Sequence, residues 1–131
     1  MKKIALLLLL SITFTTHAAG LKPYSGNIKN PQVILQDLSG KTHTLEQYKG
    51  SIVLVQFWAT YCPPCVKEMP SMNSMQDKLA KAGVPFKILA IDMAETRTEV
   101  EEFVKKIKPE FTVFLDESGS SIGQWNVFAA P

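Results

Sequence analysis

The stretch "SIVLVQFWATYCPPCVKEMP", residues 51–70, decides the reading of this chain, because a β-forming run leads directly into a cysteine pair and the start of a helix. Ser51 to Trp58 is a continuous β-branched and aromatic run preceded by Gly50, too short for an ordinary helix, and it predicts a buried central strand. From Pro64 to Ala82 the residues Met69, Met72, Met75, Leu79 and Ala82 recur every three or four positions, with Lys67, Asp77, Lys78 and Lys81 between them and Gly83 as a stop. That spacing predicts an amphipathic helix beginning at Pro64, kinked at Pro70. Val84 to Asp92 supplies a second buried strand, so strand, helix and strand form a parallel βαβ unit. Outward from this unit, Gln32 to Asp37 reads as a short strand with a turn at Ser39-Gly40. Downstream, Thr98 to Ile107 reads as a helix with Val100, Phe103, Val104 and Ile107 on one face, Phe111 to Asp116 as a strand, and Ser120 to Trp125 as a short helix. The class is α/β in one domain.

At 131 residues, 46% hydrophobic and 20% charged, the chain has the balance of an ordinary globular protein. Its first residues, "MKKIALLLLLSITFTTHAAG", carry Lys2 and Lys3, an apolar run from Ile4 to Phe14, and small residues at Thr16, Ala18 and Ala19. This is the pattern of a secretory signal, with residues 1–18 removed and 19–131 as the mature domain. The apolar run falls short of the ~20 residues that span a bilayer as a helix, and an uncleaved N-terminal anchor is the alternative. Without Lys2 and Lys3 the basic and acidic residues balance, so the mature chain carries no footprint of a nucleic-acid binder.

Cys62 and Cys65 are the only cysteines. After an export signal they point to an oxidising or managed redox compartment. A purely structural disulfide would close a longer loop, because the entropic gain grows with loop length. A zinc site would need four ligands, and His43 is the only histidine beyond the leader; no metal or other cofactor is expected. At a helix N-terminus the unpaired N–H groups and the partial positive charge favour thiolate over thiol. Cys62 is therefore the expected nucleophile and Cys65, one turn further in, the resolving thiol. Pro63 and Pro64 lack N–H groups, so two donors to the sulfur are absent and the thiolate is less stabilised than in a motif with ordinary residues. That inclines the pair towards a milder oxidant or a reductant.

The run "VLVQFWATYCPPCVKEMP" resembles the thioredoxin superfamily. With the leader, "FWATYC" and "KEMP", it looks like the TlpA/ResA-like branch of exported thiol-disulfide oxidoreductases. The likeness extends from about Val33 to Pro131, including "LSGKTHTLEQYKGSIVLV" and an insertion from about Ala94 to Leu115. It implies a thioredoxin-like fold, attack by Cys62 and resolution by Cys65, and a cis-proline at Pro131 facing the site, with Ala130 offering backbone hydrogen bonds to a substrate polypeptide. Trp58, Tyr61 and Pro63 complete the implied substrate face, although by spacing alone Trp58 reads equally as a plain core tryptophan. Thioredoxin carries a buried acid two residues before its tryptophan; here Gln56 stands there. The exported branch commonly supplies a glutamate three residues after the second cysteine, and Glu68 occupies that position as the expected proton acceptor for Cys65. The other reading of Glu68 is a solvated acid complementing the helix dipole.

The expected activity is reduction of disulfides in exported proteins such as apocytochrome c, with electrons resupplied by a membrane donor such as a thiol-disulfide transporter. Alternatives are a disulfide-introducing oxidase, a peroxiredoxin-like peroxidase, and a non-catalytic binding module on the same fold. Peroxiredoxins carry Pro-x-x-x-Thr-x-x-Cys, whereas Thr60 lies two residues before Cys62 with no such proline ahead of it. Trp125 and Phe128 read as core or loop anchors, the methionine stripe as plain helix core, His43 as a loop residue, and Glu99, Glu101 and Glu102 as a solvated helix face. In the resembled family a strand, a hairpin partner and a helix follow the cis-proline, and that strand pairs with the one leading into the cysteines. The chain is therefore expected to be a shortened form, leaving Ser51 to Trp58 as an exposed edge and Pro131 mostly trans.

Overall fold

A computed structural model describes residues 22–27 and 32–129. The leader, Ala130 and Pro131 lie outside the described residues, and with them the cleavage and cis-proline expectations. The elements in order are β1 (Ile34–Asp37), β2 (Thr42–Thr44), a 3₁₀ turn (Leu45–Tyr48), β3 (Ile52–Trp58), α1 (Pro63–Lys81), β4 (Phe86–Asp92), α2 (Arg97–Ile107), β5 (Thr112–Leu115) and α3 (Ser120–Gln124). They build a mixed sheet in the order β2-β1-β5-β4-β3. β3 and β4 pair in parallel with Ile52 opposite Phe86 and Trp58 opposite Asp92, β4 and β5 pair in parallel, and β1 runs antiparallel to both β5 and β2.

β4 is buried on both faces from Ile88 to Asp92. Its successive residues point to opposite faces: Ile88 and Ala90 enter the cluster under α1 and α2 with Trp58, Cys65, Met69, Met72 and Val100, while Leu89 and Ile91 pack with Val33 and Phe114 on the other face. Ile88, Leu89 and Ile91 are at most 2% exposed, each contributing ~1.5–3 kcal/mol through burial. A strand covered on both faces reads as an unbroken apolar run for this reason.

β3 is an edge among the described residues, as the shortened-chain reading expects and the apolar run alone does not. It pairs only with β4 among those residues, with Ile52 59% exposed and its middle residues half-buried. An apolar run records the faces of a strand, whereas the number of hydrogen-bonded neighbours depends on segments elsewhere in the chain.

The β1–β2 hairpin and the 3₁₀ turn carry little periodic signal, since β2 is only Thr42–Thr44. The hairpin is set by side chains. Asp37 Oδ1 accepts from the Ser39 and Lys41 N–H groups at 2.9 and 3.0 Å, and Gly40 supplies a φ of 85°. His43 is therefore not a loop residue: it sits buried on β2, with Nε2 2.7 Å from Asp37 Oδ2 and Nδ1 2.8 Å from the Tyr48 hydroxyl, edge-on to Phe114. α2 starts at Arg97 behind a capping box, in which the Thr96 side chain takes the Glu99 N–H and Glu99 reaches back to the Thr96 N–H. Glu99 is thus a cap rather than one of a row of idle solvated acids. Arg97 and Glu101 pair one turn apart at 3.2 Å.

Candidate functional site

The cysteines lie where β3 ends and α1 begins. A β3 strand that ends beside β4 delivers the chain to the carboxyl end of the parallel strands, the end at which open α/β sheets place their chemistry. The Cys62 N–H donates to the Ala59 carbonyl at 3.1 Å, turning the chain before the helix. Cys62 is the N-cap, and its Sγ accepts the Cys65 N–H at 3.4 Å. The helix begins at Pro63, one residue earlier than expected. Proline at the first helical position loses nothing, because that N–H has no intrahelical acceptor and the ring already holds a helical φ; the same holds at the next position for Pro64. Pro63 and Pro64 are both exposed, and the first helical N–H available to the Cys62 sulfur is that of Cys65. The helix continues through Pro70 to Lys81.

Cys62 and Cys65 are joined by a disulfide, with their Cα atoms 5.4 Å apart. Cys62 retains 5% exposure and Cys65 none. The asymmetry matches the order in which an incoming thiol or disulfide can reach the two sulfurs. Tyr61, 70% exposed, flanks the pair.

Trp58 does not stand on the surface. It is fully buried against Phe103, ring centroids 5.7 Å apart, in the cluster that holds Cys62 and Cys65. Its position at the last, covered residue of β3 makes it the floor beneath the cysteines rather than a wall that a partner touches. Phe128 is 93% exposed and anchors nothing, whereas Trp125 packs on Phe57 and donates its indole N–H to the Gln32 carbonyl at 2.9 Å. Met69 and Met72 are buried core; Met75 is partly exposed.

Glu68 lies on the exposed side of α1, one turn beyond Cys65, and accepts from Gln56 Nε2 at 3.3 Å. The residues that replace and supply the expected acid thus meet across β3 and α1. They border an open groove of about 550 Å³ lined by Leu54, Phe57, Met72, Val127 and their neighbours. Among the described residues no group of three or more His, Cys, Asp or Glu could hold a metal ion, and no helix is long and apolar enough to cross a membrane.

Two acids missing from the sequence reading lie at the same end of the sheet. Asp92 closes β4 opposite Trp58 and is completely buried. Its Oδ2 accepts the Glu95 N–H at 2.9 Å, and its Oδ1 has no hydrogen-bond partner among the described residues. Burial, reinforced by the Glu95 carboxyl beside it, pushes the Asp92 carboxyl up to about 7. Glu95, 8% exposed, receives both the Thr60 N–H, at 2.6 Å, and the Thr60 hydroxyl. One signal for Asp92 was available: an acid ending a buried parallel strand lies at the functional end of such a sheet. Nothing local connects Glu95 to Thr60.

Residues 27–131 match the AhpC/TSA family. Over 101 residues the chain is 40% identical to the thiol-disulfide oxidoreductase ResA of Bacillus thuringiensis subsp. konkukian, covering 77% of this chain and 57% of that relative. ResA of Geobacillus kaustophilus is 36% identical over the same shares. The chain therefore spans somewhat more than half the length of these curated relatives. Among solved structures, a protein assigned as thiol:disulfide interchange protein DsbE from Chlorobium tepidum superposes with a TM-score of 0.68 at 30% identity, covering 74% of this chain and 67% of the other. StoA from Bacillus subtilis superposes with a TM-score of 0.64 at 24% identity, over 78% and 77% of the two chains, a likeness of fold.

Proposed function

The chain belongs to the AhpC/TSA family of thioredoxin-like proteins, and from that premise we propose that it is an exported thiol-disulfide oxidoreductase exchanging its Cys62–Cys65 pair with cysteine pairs of other proteins. The observation that carries the reading is the disulfide placed at the N-terminus of α1, with the slightly exposed Cys62 as cap and the shielded Cys65 one turn in.

In the reducing direction the Cys62 thiolate attacks a substrate disulfide. A Cys62–substrate disulfide forms, and the leaving substrate sulfur takes up a proton. Cys65 then gives up its proton and attacks the Cys62 sulfur, so that the Cys62–Cys65 disulfide closes and the second substrate sulfur departs as a thiol. Two electrons pass from the pair to the substrate, and an exported dithiol donor must return them before the next turnover. Glu68 is the proposed acceptor of the Cys65 proton, directly or through solvent, with Gln56 orienting its carboxylate. Tyr61 and Pro63, both exposed beside Cys62, are proposed contacts for the substrate chain, as are Ala130 and Pro131.

The names of the ResA and DsbE relatives support the exchange reaction, and the double proline favours its reducing direction because it withholds donors from the thiolate. Apocytochrome c is the proposed substrate class and a membrane thiol-disulfide transporter the proposed donor. Equilibration of the full chain against glutathione tests direction. A reductant lies well below the roughly −120 mV of a strongly oxidising periplasmic protein; a value near that potential reverses the proposed flow. A peroxidase has a different requirement, a threonine free to meet peroxide, whereas the Thr60 hydroxyl is engaged by Glu95.

A further inference from the structure

Beneath the cysteine turn lies an arrangement that the exchange chemistry leaves unused. Glu95 is anchored from below by Asp92, which takes its N–H, and from above it holds Thr60 by both N–H and hydroxyl. Thr60 belongs to the turn in which Ala59 accepts the Cys62 N–H. Asp92, Glu95, Thr60 and Cys62 are thus linked in series by hydrogen bonds and one short stretch of backbone.

The proton arrangement follows from the donors. Glu95 receives two donors from Thr60. Asp92 is buried, receives one donor and keeps one oxygen with none, so a proton on that carboxyl both neutralises a buried charge and employs an otherwise unpaired atom. We propose that Asp92 and Glu95 hold one proton between them and, through Thr60, act as positioning residues for the Cys62–Cys65 pair, coupling the reactivity of the thiols to the protonation of a buried carboxyl. The inference rests on the thiol-exchange reading of the same site.

Below neutrality burial keeps the Asp92 carboxyl protonated, while Glu95 fixes Thr60 by two hydrogen bonds. The raised Asp92 carboxyl, about 7, places its ionisation within the range that thiols of Cys-x-x-Cys motifs reach in general. Loss of that proton puts a buried negative charge at the end of β4, linked in series to the turn that holds Cys62, and opposes formation of the thiolate. Of the groups next to Asp92, Trp58 opposite it on β3 is uncharged and Glu95 is its acidic neighbour in the loop; the Cys62–Cys65 pair is reached from it through Glu95 and Thr60. From α2, Arg97 and Glu99 are engaged by Glu101 and Thr96.

The test uses the full chain, reduced with dithiothreitol. Alkylation of Cys62 by iodoacetamide is measured from acid to alkaline pH for the parent and for Asp92→Asn, which keeps the acceptor for the Glu95 N–H without a titrating proton. The parent profile is expected to show an inflection near neutrality in addition to that of the thiol, and Asp92→Asn to lose it. In parallel, the ¹³C shift of the Asp92 carboxyl is followed in the unmutated protein, where the midpoint should lie near neutrality and rise when the pair is reduced and ionises, because linkage is reciprocal. This second readout decides the matter if the variant does not fold. Superimposable alkylation profiles, or an Asp92 midpoint in the ordinary carboxylate range and indifferent to the redox state, overturn the inference. Failure of the parent pair to exchange with dithiothreitol at all overturns the thiol-exchange reading instead, and the two failures are distinguishable.

Discussion

Replacing Asp92 by Asn should stabilise the protein at neutral and alkaline pH and do almost nothing in acid. Asp92 ionises at about 7 in the folded state against 3.8 when unperturbed. Below pH ~4 the carboxyl is protonated folded and unfolded, and its contribution is fully present. Between that point and about 7 the unfolded chain releases the proton and the folded chain does not, so stability falls as pH rises and then levels off. A shift of ~3 units at ~1.36 kcal/mol per unit sets a ceiling of ~4 kcal/mol. Sharing the proton with Glu95 and partial screening at the loop reduce this to ~2 kcal/mol. The amide keeps the Glu95 N–H bond and can donate to the Glu95 carboxylate, so the variant escapes the penalty. For a domain of this size ~2 kcal/mol corresponds to a rise in Tm of ~8 °C or more. Thermal unfolding followed by circular dichroism at pH 4, 6 and 8 measures it. The difference in Tm between variant and parent should be near zero at pH 4, open by pH 6 and be largest at pH 8. An equal difference at every pH, or a variant less stable than the parent at pH 8, refutes the argument that Asp92 is held protonated by burial.

Cys65→Ser should accumulate substrate proteins as mixed disulfides on Cys62, visible on non-reducing gels, whereas Cys62→Ser should accumulate none. Glu68→Gln should leave the melting temperature unchanged and slow the reduction of a model protein disulfide several-fold, with an altered pH profile; an unchanged rate and profile would return Glu68 to the role of a solvated helix acid. Asp37→Ala removes the acceptor for Ser39, Lys41 and His43. The resulting loss should be ~1–2 kcal/mol at pH 7 in urea titration. Because those bonds hold the Asp37 carboxyl well below the usual carboxylate range, the parent should lose the same contribution only as pH drops below ~4. Leu89→Ala, at the fully covered centre of β4, should cost ~2–5 kcal/mol.

The parts of the molecule written in local patterns were legible without coordinates. The methionine stripe placed α1, the apolar run placed β4, and the Cys-Pro-Pro-Cys sequence placed the reactive pair at a helix start. What escaped depends on partners distant in sequence. An apolar β3 looks the same at an edge as in the middle of a sheet, and only the resemblance to a longer family pattern pointed to the edge. His43 looked idle because its partners, Asp37 and Tyr48, lie at the end of the short strand β1 and in a 3₁₀ segment, too brief to show a period. The Thr60–Glu95 bond spans 35 positions, and no spacing rule reaches so far. Trp58 was placed at the right end of the right strand, but burial depends on what α2 brings over it, here Phe103.

The paired prolines at the start of α1 also bear on how long a captured partner stays captured. Their rings hold the backbone between the cysteines in helical form whether or not the sulfurs are joined. When a partner is attached to Cys62, Cys65 has no chain freedom to recover before it attacks, and it acts as a tethered reagent at very high local concentration. Little rotational search separates capture from release. Under the proposed exchange the mixed disulfide should be short-lived in the intact protein, and molecules that lack the Cys65 sulfur should hold a partner longest.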